Sequence, residues 1–325
     1  MPSQHGTIAN TSTLTMNAQE KSFDDIYDTI LPSLGQLEEI RKKWAKHIYL
    51  WQFLGLLSLG LIILAFIIEW YFLGAIFILC ALFSVGMIFE KLDVATKDLA
   101  PKFKKVVIFA LLDYFYEHVR YIPNQRMSIH LLRKSLLISN YVYKHWGEDF
   151  INCRVRDTDV YFSEIETYYL NSQQPTFRGV FIAVLFNKQF STKTVVINRK
   201  SSSFLRKTKL NLFGDMKNAA YVKLENIEFN KKFLVIAEDQ IEARFKLTPS
   251  LMEKMLDYKK KLNADVSFSF IDNYLFIAIP SGTNLFEPVL LSSINDKVFI
   301  KKNYTYLDLL TSVVEDLDLN TRIWL

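Results

Sequence analysis

Glycine is scarce in the part of this 325-residue chain where most chemistries would need it. Of ten glycines, only Gly147, Gly179, Gly214 and Gly282 follow residue 90, each more than 30 residues from the next. A phosphate-cradling loop needs clustered glycines to bring backbone against an anion, so the Walker loop and the dinucleotide fingerprint are excluded. Histidine is equally thin: His118, His130 and His145 show no four-residue pairing, which removes a zincin-type metal site. No serine occupies a nucleophile elbow. The two cysteines, Cys80 and Cys153, supply neither a disulfide framework nor a metal pair and fit a reducing compartment. No cofactor and no metal are expected.

Apolar sequence is what the chain has in surplus. Half of all residues are apolar and mean hydropathy lies slightly above zero. The excess sits in residues 49–90, where only nine of 42 residues fall outside the apolar set. Removing that window leaves about 46% apolar residues, ordinary globular usage. At about 1.5 Å per residue, a hydrocarbon core about 30 Å thick needs about 20 apolar residues. The window is twice that length, and its one interior charge, Glu69, lies at mid-window beside Trp70 and Tyr71. A transmembrane hairpin is predicted, with spans 50–68 and 71–89. Arg41, Lys42, Lys43 and Lys46 precede it, Lys91, Lys97, Lys102, Lys104 and Lys105 follow it, and the turn has no cation. Both termini are therefore expected in the cytoplasm. The run starts too late and is too long for a signal-peptide core. Without an intramembrane ion pair, polar relay or Gly-xxx-Gly pair, the hairpin reads as an anchor.

The flanking sequence divides further. Residues 1–21 read as a disordered polar tail, and 22–48 as cytoplasmic helices, a first one capped by Ser22 and stopped around Pro32 to Gly35. Residues 91–149 read as a helical stalk, amphipathic from Leu99 to Val119 and again from the Ser128 N-cap to Trp146. From 150 to 325 the pattern becomes that of an α+β domain on a mostly antiparallel sheet. Strands are predicted around 160–169, at Val180 to Phe186, Thr194 to Asn198, Tyr221 to Leu224, Phe233 to Ala237 and Ile241 to Leu247. A helix capped by Thr248 with Pro249 at its first position should run to Leu262. A hairpin over 266–279 should turn at Asp272 and Asn273, and a last helix should span 304–317.

Candidate sites are few. Glu148 and Asp149 close the stalk, and Glu164 and Glu166 share one side of a strand, so either pair could serve acid–base chemistry, although solvated faces carry such pairs far more often. Arg244, on a predicted strand between Glu242 and Lys246, could bind an anion or a peptide carboxylate, with a surface ion pair the commoner use. Lys102, Lys104, Lys105, Arg206 and Lys207 are candidates for contact with anionic lipid. The net charge of +5 is spread too diffusely for a nucleic-acid protein.

Two spans, helices ending in Gly147-Glu148-Asp149, then Phe177-Arg178-Gly179-Val180-Phe181, the pentapeptide from Phe186 and its echo from Phe229 follow in order. With Asp239-Gln240-Ile241-Glu242-Ala243-Arg244-Phe245 and Leu247-Thr248-Pro249, the chain resembles the bacterial domain-of-unknown-function family 3137 (DUF3137) from Leu37 onward. The resemblance implies a multi-pass protein of a bacterial inner membrane with a cytoplasmic domain, and it supplies no activity. An anchor without transport features and a domain without a catalytic constellation point to a non-enzymatic binding or scaffold module with a protein or anionic-lipid partner. A membrane-tethered carboxylate-dependent hydrolase or transferase stays open, as does a secreted effector that inserts into host membranes.

Overall fold

The computed structural model describes residues 23–116, 118–155, 158–185, 189–200, 216–282, 284 and 286–317. The predicted tail, the Ser22 cap, the first three residues of the Phe186 pentapeptide, and Arg206 and Lys207 lie outside them. The chain forms two compact units, Met1–Leu99 with Val289–Tyr304, and Ala100–Pro288 with Thr305–Leu325.

The first unit is built on α1 (Phe23–Ile67) and most of α2 (Tyr71–Phe103), up to Leu99. The predicted break at Pro32 does not occur. Ile26, Ile30, Leu34, Leu37, Ala45 and Ile48 keep one buried stripe at three- and four-residue steps across the proline, and that shared face carries the helix through. Between α1 and α2, Glu69 takes a left-handed backbone (φ 59°), which reverses the chain at the predicted turn. Both helices are long and apolar enough to cross a membrane, and only 11% and 6% of their most apolar stretches are buried. Small residues allow them to approach: a Cβ on Gly55 would lie 3.5 Å from that of Ser84, and one on Gly74 3.7 Å from that of Ala65. Trp44 Nε1 donates to Asp98 Oδ2 at 2.9 Å near the base of the pair. A buried bidentate pair, Arg41 to Glu38, holds the returning chain, since Arg41 Nη1 donates to Leu290 O (3.0 Å) and Ile294 N donates to Glu38 Oε2 (2.9 Å).

The second unit begins with a π-helical turn (Lys104–Ile108) and α3 (Phe109–Phe115). Then come β1 (Arg120–Ile122), α4 (Ile129–Lys134), β2 (Val142–Val155), β3 (Thr158–Tyr169), β4 (Phe177–Leu185) and β5 (Thr194–Asn198). They are followed by β6 (Ala220–Val222), α5 (Ile227–Lys232), β7 (Phe233–Ala237), α6 (Gln240–Lys246) and α7 (Pro249–Leu262). The described elements close with β8 (Ser267–Ile271), β9 (Tyr274–Pro280), α8 (Lys297–Thr311), whose residues up to Tyr304 belong to the first unit, and α9 (Val313–Asp316). Nine strands form one antiparallel sheet in the order β1-β2-β3-β4-β9-β8-β5-β7-β6, which makes the molecule α+β as expected. Consecutive β4 residues from Val180 to Val184 are all buried, so both faces of the sheet centre are covered.

The helix expected over 99–119 carries the π turn and ends at Phe115, and the one expected over 304–317 starts at Lys297 and breaks at Ser312. Two other elements differ more. The stalk helix expected over 128–146 shrinks to α4. Ser128 does cap it, accepting from Leu131 N, but β2 starts at Val142 and takes Trp146, Gly147, Glu148 and Asp149 into the sheet. The strand expected at 241–247 is α6. Ile241, Ala243, Phe245 and Leu247 alternate as a strand would, but the Asp239 side chain accepts from Ile241 N and Glu242 N, and this cap starts a helix instead. The Thr248 cap, Pro249 at the first turn and the end at Leu262 are as predicted, as is the Asp272 turn between β8 and β9.

Candidate functional site

The predicted pair Glu148 and Asp149 lies in the middle of β2, where the pairing with β3 slips between Glu148 and Ile151. Asp149 takes a left-handed backbone (φ 56°) at this bulge. Its N–H leaves the ladder and donates to Pro123 O at 2.8 Å, and Phe150 N donates to Gln125 O at 3.0 Å. The bulge thereby turns Asp149 inward, where it is fully buried. Tyr121 on β1 donates its hydroxyl to Asp149 Oδ1 at 2.6 Å, and Lys104 Nζ donates to Asp149 Oδ2 at 2.8 Å and to Glu148 Oε2 at 2.7 Å.

These groups alter one another. Burial pushes the Asp149 carboxyl up to about 6 in spite of Lys104 and Tyr121. Burial opposes the charge of Lys104 too, but its two carboxylates together hold its pKa above the usual lysine value. The Tyr121 phenol rises for want of water and because Asp149 is beside it. Lys104 is 3% exposed, so it is withdrawn from the anionic-lipid role expected for it; Lys102 and Lys105 are exposed. Carboxylate oxygens of Glu148, Asp149 and Glu164 lie within 4.8 Å of one another, a set that could hold a metal ion, but the Lys104 ammonium already supplies a cation to two of them.

Above this buried clamp is an open cleft of about 430 Å³, lined among others by Trp146, Glu148, Glu164, Glu166, Arg178 and Asn284. The register explains the gathering. Glu148 and Glu164 are direct partners across β2 and β3, and Trp146, Glu166 and Arg178 form one row across β2, β3 and β4. Arg178 donates to Asn284 Oδ1 at 2.6 Å and approaches Glu166 at 3.9 Å. Gly147 and Gly179 flank Ile165 in the adjacent row. Neither tolerates a side chain, since a Cβ would fall 2.2 Å from Glu164 O at Gly147 and 2.1 Å from Ile279 O at Gly179.

The structure thus brings Glu148, Asp149, Glu164 and Glu166 together and leaves Arg244 apart. Arg244 sits on α6 and donates to Gln240 O and Lys223 O. Arg178 is the cleft's cation. The sequence pattern does not relate Lys104, Tyr121, Trp146, Arg178 and Asn284 to this site. Only strand register relates most of them, and that becomes visible once Trp146 is placed on a strand.

An antiparallel α+β sheet with two long apolar helices defines the class of protein. The model of a family described as protein of unknown function (DUF3137) matches residues 175–319, so the chain resembles that family over this stretch. No curated protein matches the chain. The crystal structure of the mycobacterial trehalose monomycolate transport factor A, TtfA, is similar over 62% of this chain and 90% of that chain, at 9% identity and a TM-score of 0.29. A likeness that distant carries no argument.

Proposed function

We propose that this chain is a two-span integral membrane protein that displays its sheet unit in the cytoplasm as a binding module. The observation that carries this reading is the exposure of the apolar helices: Phe53, Leu56, Ile63, Phe66, Phe72, Leu79 and Phe83 are each more than 60% exposed. In water such a surface far exceeds the apolar patch a soluble monomer tolerates, and in a bilayer it meets its own kind. The cationic flanks and the cation-free turn support cytoplasmic termini, hence a bacterial inner-membrane topology in the family it resembles. The cleft supports binding: three glutamates and Trp146 around one neutralised arginine suit a partner that presents a basic side chain. Alkaline extraction of membranes, with reporter fusions at the turn and at the C-terminus, tests the anchor. Extraction into the soluble fraction, or a C-terminal reporter active outside the cytoplasm, would refute it.

The convergence of Glu148, Asp149 and Glu164 favours one second reading, a tethered hydrolase. Asp149 argues against it, because both its oxygens are taken by Tyr121 and Lys104 and water does not reach it. Titration of the full chain with a lysine-rich peptide, read by tryptophan fluorescence, separates the two. Binding lost in Glu164→Gln and Glu166→Gln supports the module, and turnover lost in Glu164→Gln supports the enzyme.

A further inference from the structure

Positive charge is gathered without a counter-charge around the start of β2. From His118 to Gly147 the chain carries Arg120, Arg126, Arg133, Lys134 and Lys144 and no Asp or Glu. Among the described residues, only Lys134 of these five has a carboxylate at ion-pair distance, Asp272 at 2.8 Å. Folding brings two of the others to one histidine. Arg126, in the segment before α4, donates Nε to His145 Nε2 at 3.1 Å, and Arg133, on α4, donates Nη2 to Val142 O on the same strand at 2.6 Å. The pKa of His145 is lowered, by burial first and then by Arg126 and Arg133. Among the described residues these two are the charged groups that act on it, and its partner on β3 is the buried, neutral Thr167.

Two features of this cluster point to an anion. A guanidinium is shaped for carboxylate or phosphate oxygens, yet Arg126 donates to a neutral imidazole. Arg133 Nε is buried with no hydrogen-bond partner among the described residues, the kind of donor that a ligand oxygen satisfies. One bidentate arginine would suffice for a carboxylate. Two guanidinium groups from different elements, with an imidazole that donates once protonated, suit the oxygens of a tetrahedral phosphate. Lys144 and Arg126 also lie 5.5 and 6.0 Å from the centre of the Trp146 ring, which adds positive charge beside the cluster. Adjacent strand residues point to opposite faces, so His145 faces away from the acidic cleft that Trp146 lines.

We propose that Arg126, Arg133 and His145 bind the phosphate group of a ligand, with the two guanidinium groups as charge partners and His145 as a protonated donor. The anion would offset the two arginines that oppose charge on His145, so binding takes up a proton and tightens as pH falls. Calorimetry on the full chain in detergent tests this, with inorganic phosphate as the probe and inorganic sulfate, which stays a dianion throughout, for the pH series. One phosphate should bind per chain, about tenfold or more weakly in Arg126→Gln and in Arg133→Gln. Arg133→Gln also removes the bond to Val142 O, so Arg126→Gln, which keeps it, decides, with unfolding midpoints to show that each variant is folded. Sulfate should bind more tightly at about pH 5.5 than at about pH 8, with proton uptake, and His145→Gln should abolish both effects. In nanodiscs, competition by phosphatidic acid would assign the phosphate to a lipid and its failure to compete would assign it to a soluble ligand; either result supports the site. No phosphate binding, or binding that Arg126→Gln and Arg133→Gln leave unchanged, overturns the proposal, and a sulfate affinity independent of pH overturns the part given to His145.

Discussion

The sheet unit buries two lysines near opposite ends of its strand order, and the two behave differently. Lys104, at the β1–β2 end, meets two carboxylates, one of them fully buried, and its pKa lies above the ordinary value. Lys246, at the β5–β7–β6 end, has one carboxylate partner, Glu242, plus the Thr192 carbonyl, and burial lowers its pKa by more than Glu242 restores. One lysine is needed to neutralise a cluster of negative charge; the other is a guest in a local polar pocket. Around the first lies an acidic cleft, and near the second an edge where Ile241 and Phe245 are exposed. The same residue type is thus held charged at one end and disfavoured in its charged form at the other.

Lys104→Met removes the cation from the acidic end. It leaves Asp149 and part of Glu148 buried without a cation and should cost about 3–5 kcal/mol, measured by thermal or denaturant unfolding, with much of the loss recovered when Asp149→Leu is added. Gly147→Ala should cost about 1–3 kcal/mol, because its Cβ would fall against the Glu164 carbonyl oxygen. The pH dependence isolates Asp149. Its folded pKa of about 6 lies above its ordinary value of 3.8, so the folded state keeps a proton that the unfolded chain has lost. Stability from this position therefore falls as pH rises from about 4 to about 6 and is level above, and the melting-temperature difference between wild type and Asp149→Asn should shrink across that window. Lys246→Met should cost about 1 kcal/mol, clearly less than its counterpart, because Glu242 keeps its Thr192 hydrogen bonds and some water. Ile241→Ser should change stability by no more than about 0.5 kcal/mol, since the side chain is already in water.

Much of the architecture could be read from residue patterns where one local signal decided the outcome. The apolar surplus marked both long helices, strict alternation and continuous apolar runs marked β4, β5 and β7, and Thr248-Pro249 marked α7. Reading failed where a tertiary or capping effect outweighed the pattern. The stripe from Ile26 to Ile48 overrode Pro32, the Asp239 cap overrode the alternation from Ile241 to Leu247, and pairing with β3 overrode the helical look of residues 142–146. The candidate site was half legible for the same reason. Glu148, Asp149, Glu164 and Glu166 stand out as carboxylates, but their common cleft depends on register, and Lys104 joins them from far along the chain.

The π-helical turn at Lys104 has a consequence for the helix that carries it. Buried residues there recur every fourth position, as Phe103, Val107 and Leu111 and again as Lys104, Ile108 and Leu112. An α-helix advances about 100° per residue, so a strict four-residue repeat would drift about 80° around the cylinder over two repeats. The wider π turn slows that rotation and cancels most of the drift. A helix in two phases keeps a single seam: the π turn holds one residue more than an α turn, so deleting one residue between Lys104 and Ile108 would return the turn to α-helix and leave Leu111 and Leu112 close to the side on which Lys104 meets Asp149.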